Sequence, residues 1–169
     1  MVTLPSNSTI KYRPWNSTKA ITIDWQEKKV DCTDLAPAYC NMNVVLPDGA
    51  YVEISGVGWF QNGAVVTLPS NGTISYRPWN STKAVTTDWK TKTVDCTDLA
   101  PSYCDMGIVL NDPSDGWVEV SGVGWFQNGG QVWLPVGATV RYRVWNASKT
   151  QVVADWKDKS VDCNDLVYP

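Results

Sequence analysis

The segment Thr139-Val-Arg-Tyr-Arg-Val-Trp145 alternates between two kinds of side chain. Val140, Tyr142 and Val144 fall on one face of an extended chain, while the two arginines and the tryptophan fall on the other. A period of two is the pattern of a β-strand that packs one face against a core. The segment therefore predicts a strand whose outward face carries Arg and Trp.

The end of this strand belongs to a motif that occurs three times in the chain. Tyr12-Arg-Pro-Trp-Asn-Ser-Thr-Lys-Ala20 returns unchanged as residues 76–84, and a diverged copy begins at Tyr142. Each copy is followed by Asp-Trp and then by Val-Asp-Cys. We call a segment of this kind type A. Self-similarity at a fixed period is the sequence signature of a repeat architecture.

A second kind of segment, type B, separates the A segments. It contains Gly-Val-Gly-Trp-Phe-Gln-Asn-Gly, at residues 56–63 and again at 122–129. The order A-B-A-B-A predicts a first repeat over 1–66, a second over 67–132 and a truncated third over 133–169. Because a unit of about 65 residues is marginal as an independent core, we expect the repeats to share one domain.

The turn chemistry of the chain favours strands over helices. Asn62-Gly63 and Asn128-Gly129 are hairpin-turn dipeptides between apolar runs. No apolar stripe with helical spacing is present, and proline occurs in every segment. The sequence predicts an all-β fold: a pseudo-symmetric tandem-repeat barrel, prism or sandwich built from short antiparallel strands and hairpins.

The composition excludes several classes of function. The chain of 169 residues has no His, so it holds no Ser-His-Asp or Cys-His nucleophile pair and no His-ligated metal. A net charge of −3 offers no basic stripe for nucleic acid. No apolar run reaches the roughly 18–20 residues of a membrane span. We expect no enzyme activity, no cofactor, no metal, no nucleic-acid partner and no membrane span.

The five cysteines predict a disulfide framework with one thiol left over. Cys32 and Cys40 share their spacing with Cys96 and Cys104, so each pair is expected to close a short loop. Cys163 would then be free or form an intermolecular bridge, and a homodimer through Cys163 or through the missing half-repeat is one expected partner. Duplicated cystine loops favour a secreted, extracellular protein. The alternative is a cytoplasmic one, because no signal peptide precedes the first A segment.

The repeated Arg, Trp and Asn side chains suggest a sugar ligand. An indole face covers the apolar C–H patch of a pyranose, while guanidinium and amide groups bond its hydroxyls. The alternative is that both sheet faces are buried and the indoles belong to the core. The candidate ligand-binding residues are Arg13, Trp15, Asn16, Arg77, Trp79, Asn80, Arg143, Trp145 and Asn146 of the A segments, and Trp59, Gln61, Asn62, Trp125, Gln127 and Asn128 of the B segments.

These candidates favour a binding protein over an enzyme. An enzyme usually has a single set of catalytic residues, whereas each candidate set here occurs two or three times in the chain. The sequence predicts a non-enzymatic carbohydrate-binding protein, a lectin, with two or three equivalent sites whose linkage raises avidity for glycans. One alternative is a defence protein, a protease inhibitor or toxin, that presents the disulfide-closed loops. Another is a self-assembling structural protein.

Overall fold

The structure is a computed structural model that describes residues 3–112 and 116–168. Within those ranges the chain forms strands and turns and no helix, which confirms the all-β prediction. None of the described sheets closes into a barrel. All strand pairings are antiparallel except that of the last described strand.

The fifteen described strands are β1 (Thr9–Tyr12), β2 (Gln26–Lys29), β3 (Tyr39–Asn43), β4 (Tyr51–Ile54), β5 (Gly58–Gln61), β6 (Val65–Pro69), β7 (Thr73–Trp79), β8 (Lys90–Thr93), β9 (Tyr103–Leu110), β10 (Trp117–Val120), β11 (Gly124–Phe126), β12 (Gln131–Pro135), β13 (Thr139–Trp145), β14 (Val152–Ser160) and β15 (Leu166–Tyr168).

Two four-stranded sheets carry the Arg and Trp residues. One has the order β5-β4-β7-β8 and the other β11-β10-β13-β14. In each, the hairpin of a B segment pairs with the long strand of the A segment that follows it in the chain. Strands β3 and β6 form a smaller sheet beside the first, and β12, β9 and β15 form one beside the second. Strand β1 pairs with β2 alone.

The buried side chains form two hydrophobic clusters. The first joins the B segment at 38–66 to the A segment at 67–99, with Ile21 added from the preceding turn. The second joins the B segment at 102–132 to the A segment from 133 onward, with Val85 added in the same way. Alternation along β4 and β10 places every second residue in a cluster.

The disulfides follow these clusters and overturn the predicted pairing. Cys40 is bonded to Cys96, and Cys104 is bonded to Cys163. The loops Cys32–Cys40 and Cys96–Cys104 are therefore not closed, and the prediction that Cys163 is free was wrong. Cys32 is the free, exposed cysteine. The physical reason is that each cystine joins a B segment to the A segment with which it shares a core, not to the A segment nearest in sequence.

Successive A and B segments also touch through a close backbone approach. Gly56 has a φ of +70°, and a Cβ atom there would lie 2.6 Å from the Cβ of Ala20. Gly122 stands in the same relation to Ala84. Glycine is required because any side chain would clash and would strain a left-handed backbone. This contact brings the turn of one A segment against the hairpin of the next B segment and opens a groove beside it.

Candidate functional site

None of the ten tryptophans is buried, so the alternative in which the indoles form the core is wrong. The alternation predicted for β13 is confirmed, because Val140, Tyr142 and Val144 are buried and Trp145 faces outward. The most exposed indoles, in chain order, are Trp15, Trp25, Trp59, Trp89, Trp125 and Trp133. A protein normally buries most of the area of an indole. Six indoles with more than a third of their area exposed form an unusually aromatic surface.

On the first four-stranded sheet, a carboxylate holds the outward Arg and Trp in place. Glu53 Oε2 accepts a hydrogen bond from Arg77 Nε at 2.7 Å and from Trp79 Nε1 at 3.2 Å. The Arg77 guanidinium lies over two indoles, 4.7 Å from the centroid of Trp79 and 4.5 Å from that of Trp89. Such cation–π contacts stabilise an exposed site by about 0.5–1 kcal/mol each.

The same arrangement occurs on the second sheet. Glu119 Oε2 accepts hydrogen bonds from Arg143 Nε at 2.6 Å and from Trp145 Nε1 at 2.8 Å. Trp145 and Trp125 pack with their centroids 5.3 Å apart, and Lys149 Nζ lies 3.5 Å from the ring centroid of Trp117. In both sheets the predicted Arg is neutralised by a Glu, so its charge is already satisfied within the fold.

The copy in the first A segment, around Arg13, is incomplete. Arg13 stacks on Trp15 at 4.5 Å and on Trp25 at 4.9 Å. Among the described residues, no carboxylate lies within salt-bridge distance of Arg13. Strand β1 lacks the neighbour that supplies Glu53 to β7 and Glu119 to β13.

The predicted asparagines of the A segments hold turns together. Asn80 is buried, and its Oδ1 accepts hydrogen bonds from the backbone N–H groups of Ala84 and Val85, both at 2.9 Å. Asn16 makes the same contacts with Ala20 and Ile21. Asn146 does so at the third copy in a more exposed turn. These amide oxygens are occupied, so they offer little to a ligand.

The predicted residues of the B segments divide between exposed hairpin positions and turn positions. Trp59 and Gln61 are exposed on β5, as Trp125 and Gln127 are in the second hairpin. Asn62 Oδ1 accepts a hydrogen bond from the Leu46 N–H at 3.1 Å, and Asn128 makes the corresponding bond. The asparagines thus shape the hairpin. The indoles are already in contact, because Trp59 packs on Trp79 and Trp125 on Trp145, with a lysine ammonium over each hairpin ring.

Two grooves lie where an A turn meets the following B hairpin. The first has a volume of about 440 Å³ and is lined by Trp15, Tyr39, Phe60 and Val65, among others. The Tyr39 hydroxyl donates to the backbone oxygen of Trp15 at 3.1 Å, which fixes one wall. The second groove has a volume of about 230 Å³. Both are open clefts with aromatic and polar lining, which is the kind of site that holds a small polar ligand.

Trp133 dominates the second groove. Its side chain is 50% exposed on β12, and no charged group stacks on its ring within the described residues. Asp48, Ser81 and Gln131 provide polar groups in the same groove. Across the sheet, Asp105 faces Trp133 in the strand register. One carboxylate oxygen of Asp105 is shielded from solvent and has no hydrogen-bond partner among the described residues, so an acceptor is left unused beside the indole.

Trp133 is absent from the predicted ligand-binding residues. Trp133 stands at the position that Thr67 has in the preceding A segment. This difference between two similar segments is the sequence signal that could have identified Trp133 as a candidate. Asp105 likewise replaces Asn41, whose Oδ1 accepts a hydrogen bond from the Thr67 hydroxyl at 2.8 Å. The two grooves therefore share a backbone arrangement and differ in their chemistry.

Three acidic turns and one phenol have shifted pKa values. The Thr97 hydroxyl and then the Lys92 ammonium hold the pKa of Asp95 down to about 2, and hydrogen bonding from Asn164 lowers the pKa of Asp162 to about 2. A hydrogen bond from Thr33 likewise lowers the pKa of Asp31. Burial raises the pKa of the Tyr103 phenol. These shifts belong to structural turns and to a buried contact, and none lies in either groove.

The described residues contain no cluster of three His, Cys, Asp or Glu side chains placed to hold a metal ion. They also contain no helix that is long and apolar enough to cross a membrane. Comparison with family models, with curated proteins and with solved structures gives no match for this chain.

Proposed function

We propose that this protein is a non-enzymatic carbohydrate-binding protein whose sites are the two grooves between A turns and B hairpins. The observation that carries the proposal is the free face of Trp133 in a cleft that also holds polar side chains. A pyranose stacks an apolar face on an indole while its hydroxyls need both donors and acceptors. An open cleft lined in this way suits one or two sugar rings.

The polar lining of the Trp133 groove supports a hydroxyl-rich ligand. Gln131 and Ser81 each donate and accept hydrogen bonds, and Asp48 accepts them. Asp105 lies opposite Trp133 in the strand register but does not line the groove.

The first groove supports a second, weaker site. Tyr39 and Trp15 supply aromatic surface there, but Arg13 already covers one face of Trp15. Two linked sites raise the avidity for a polymeric glycan by a factor of about 10²–10⁴ over a single site when the geometry allows both to engage. We propose that the chain is a pseudo-symmetric tandem repeat and that its internal repeats supply these two sites.

The alternatives have less support. A protease inhibitor was predicted on the basis of short disulfide-closed loops, and residues 32–40 and 96–104 do not form them. Two intramolecular disulfides are consistent with an extracellular protein. A secreted, multivalent glycan binder fits this setting.

The proposal is tested on a glycan array with the protein displayed at high density, so that weak single sites register through avidity. We expect the Trp133→Ala variant to lose most of its binding to the glycans that the unmodified chain retains. Trp25→Ala is the matched control, because Trp25 is 60% exposed and lies outside both grooves. An array without hits, or equal losses in the two variants, contradicts the proposal.

A further inference from the structure

The indoles of this protein are paired with cations, and Trp133 is the exception. For nine of the ten tryptophans, a Lys ammonium or an Arg guanidinium lies over the ring at 3.5–5.0 Å from a ring centroid. No such group lies over Trp133 among the described residues, which include every Lys and Arg of the chain. The face of an aromatic ring attracts a cation because its π-system is negative there. On Trp133 the fold leaves this attraction unused.

The strand neighbours of Trp133 explain why no cation of the fold reaches it. The residues two positions away on β12, which share its face of the sheet, are Gln131 and Pro135. Asp105 of β9 lies opposite Trp133 in the register. None of these side chains is cationic. The sheet therefore places an acid, and no base, next to the indole.

An indole opposite a carboxylate occurs twice more in the fold, and in both places the two groups have cations. Trp59 lies opposite Glu53 in the register of β4 and β5. Arg77 bonds to Glu53 at 2.7 Å, and Lys83 Nζ lies 4.6 Å from the ring centroid of Trp59. The equivalent pair of the second four-stranded sheet has an Arg and a Lys in the same places. Within this fold, an indole beside an acid is accompanied by positive charge.

The pair of Trp133 and Asp105 has neither of these cations. Within the described ranges Asp105 takes part in no ion pair, and one of its carboxylate oxygens has no hydrogen-bond partner. Asp105 does not line the groove, so it acts on a ligand through its charge and not through contact. A negative charge at this distance strengthens the attraction of a cation to the neighbouring ring face.

The groove itself adds a carboxylate that a ligand can touch. Asp48 is exposed there and takes part in no ion pair among the described residues. It is the one charged side chain among the described residues of the lining. The first groove has no charged side chain in its described lining, and the neutral pair Thr67 and Asn41 stands where the second groove has Trp133 and Asp105. The two grooves therefore differ in charge, and only the second attracts a cation.

We propose that the groove of Trp133 selects an amino sugar in its cationic form, with an ammonium group in place of a hydroxyl or an N-acetyl group. This inference rests on the proposed sugar binding at the groove and names the class of sugar. The pyranose lies on the indole and directs its ammonium to Asp48, while its hydroxyls bond to Gln131 and Ser81. The ammonium also makes the C–H patch of the sugar more positive, which strengthens its contact with the negative ring face.

The test compares short sugar oligomers that share one linkage and differ only in one substituent, which is an ammonium, an N-acetyl group or a hydroxyl. A gluco series and a galacto series are each titrated into the full chain while the indole Nε1–H signal of Trp133 is followed. In at least one series we expect the ammonium oligomer to bind about tenfold more tightly than its two counterparts, which is the combined effect of one cation–π contact and one exposed ion pair. Added salt should reduce this preference, because it screens the exposed charges.

Two variants separate the contribution of the charge from that of the indole. In Asp48→Asn the preference for the ammonium oligomer should fall to about threefold, the share of the cation–π contact. The turn should stay folded, because Asn suits an exposed turn as well as Asp does. Trp133→Thr introduces the residue of the first groove and should abolish binding of all three oligomers at the second. Asp24→Asn is the matched control, since Asp24 is exposed and lines neither groove, and it should keep the full preference.

The outcomes distinguish this inference from the proposed function. A Trp133 signal that shifts with equal affinity for the charged and the neutral sugars, or with neutral glycans alone, overturns the inference and leaves sugar binding in place. A signal that shifts with no sugar overturns both. An unchanged preference in Asp48→Asn overturns the inference as well. So does a lysine-rich peptide that binds at Trp133 as tightly as the ammonium oligomer, because the groove would then select a cationic polypeptide.

Discussion

Glu53 and Arg77 face each other across β4 and β7, and a 2.7 Å hydrogen bond between Oε2 and Nε joins them on the outward face of the sheet. Trp79 donates to the same carboxylate oxygen. Both charged side chains are largely shielded from solvent. The Arg and Trp pattern that stands out in the sequence therefore has a structural role, in which the Glu orients the cation and the indole.

Removing this carboxylate charge is expected to destabilise the fold. We expect Glu53→Gln to lower the free energy of unfolding by about 1–2 kcal/mol, because a charged hydrogen-bond partner of Arg77 is lost from a shielded site. Urea denaturation followed by tryptophan fluorescence measures this change. The control is Glu27→Gln, whose partner Lys11 is highly exposed, and there we expect less than about 0.5 kcal/mol. Equal effects of the two variants would show that the Glu53 contact contributes no more to the free energy of unfolding than an exposed ion pair does.

Asn80 is expected to contribute to stability and not to binding. Asn80→Ala leaves the buried N–H of Val85 and the part-buried N–H of Ala84 without an acceptor, which should cost about 2 kcal/mol. Asn146→Ala removes the same contacts from an exposed turn, where water replaces them and the loss should be below about 1 kcal/mol. Thermal unfolding of the two variants gives the comparison. A larger loss for Asn146→Ala would contradict this assignment.

The disulfide pairing is expected to dominate stability. Each cystine closes a long loop, with sequence separations of 56 and 59 residues, and chain-entropy arguments assign about 4 kcal/mol to loops of that size. We expect Cys163→Ala to lower the unfolding midpoint strongly and Cys32→Ser to leave it unchanged. Peptide mapping without reductant is the direct check, and fragments that link Cys32 to Cys40 would refute the pairing.

Tyr103 is expected to make the protein sensitive to strong alkali. Its hydroxyl lies 2.9 Å from the backbone oxygen of Trp79 and 3.0 Å from that of Tyr51. Burial raises its pKa, so the folded state holds the neutral phenol while the unfolded state ionises near pH 10. The contribution of the neutral phenol is complete below about pH 10 and is lost as the pH rises above it.

Phenol absorbance during an alkaline titration tests this expectation. Tyr103 should ionise only as the protein unfolds. In Tyr103→Phe that late step should disappear. A late step that is unchanged in Tyr103→Phe would contradict the assignment to Tyr103.

The sequence predicts local features better than contacts between segments. The faces of β13 follow from alternation alone, because Val140, Tyr142 and Val144 lie two residues apart. The cystines could not be derived in this way, since Cys40 is eight residues from Cys32 but is bonded to the distant Cys96. The A segment of Cys96 shares a core with the B segment of Cys40. Pairing the cysteines by their closeness in sequence gave the wrong bonds, because each B segment packs on the A segment after it.

The candidate site shows the same division. The outward position of the repeated indoles follows from the strand period, and the structure places them there. The second groove lies where the turn near Ala84 meets Gly122. The spacing of residues in the sequence does not predict that contact. Trp133 is not among the predicted ligand-binding residues because it differs from its counterpart Thr67, whereas every predicted residue recurs at the same position in another segment.

The central claim, sugar binding at the groove of Trp133, is tested most directly by the indole N–H signals in a nitrogen–proton correlation spectrum. Ten tryptophans give ten assignable Nε1–H signals, which are recorded while glycans that bind on the array are added. We expect the Trp133 signal to shift in a saturable way, followed by that of Trp15, while Trp79 and Trp145 stay fixed by their bonds to Glu53 and Glu119. An unchanged Trp133 signal at saturating glycan would contradict the claim.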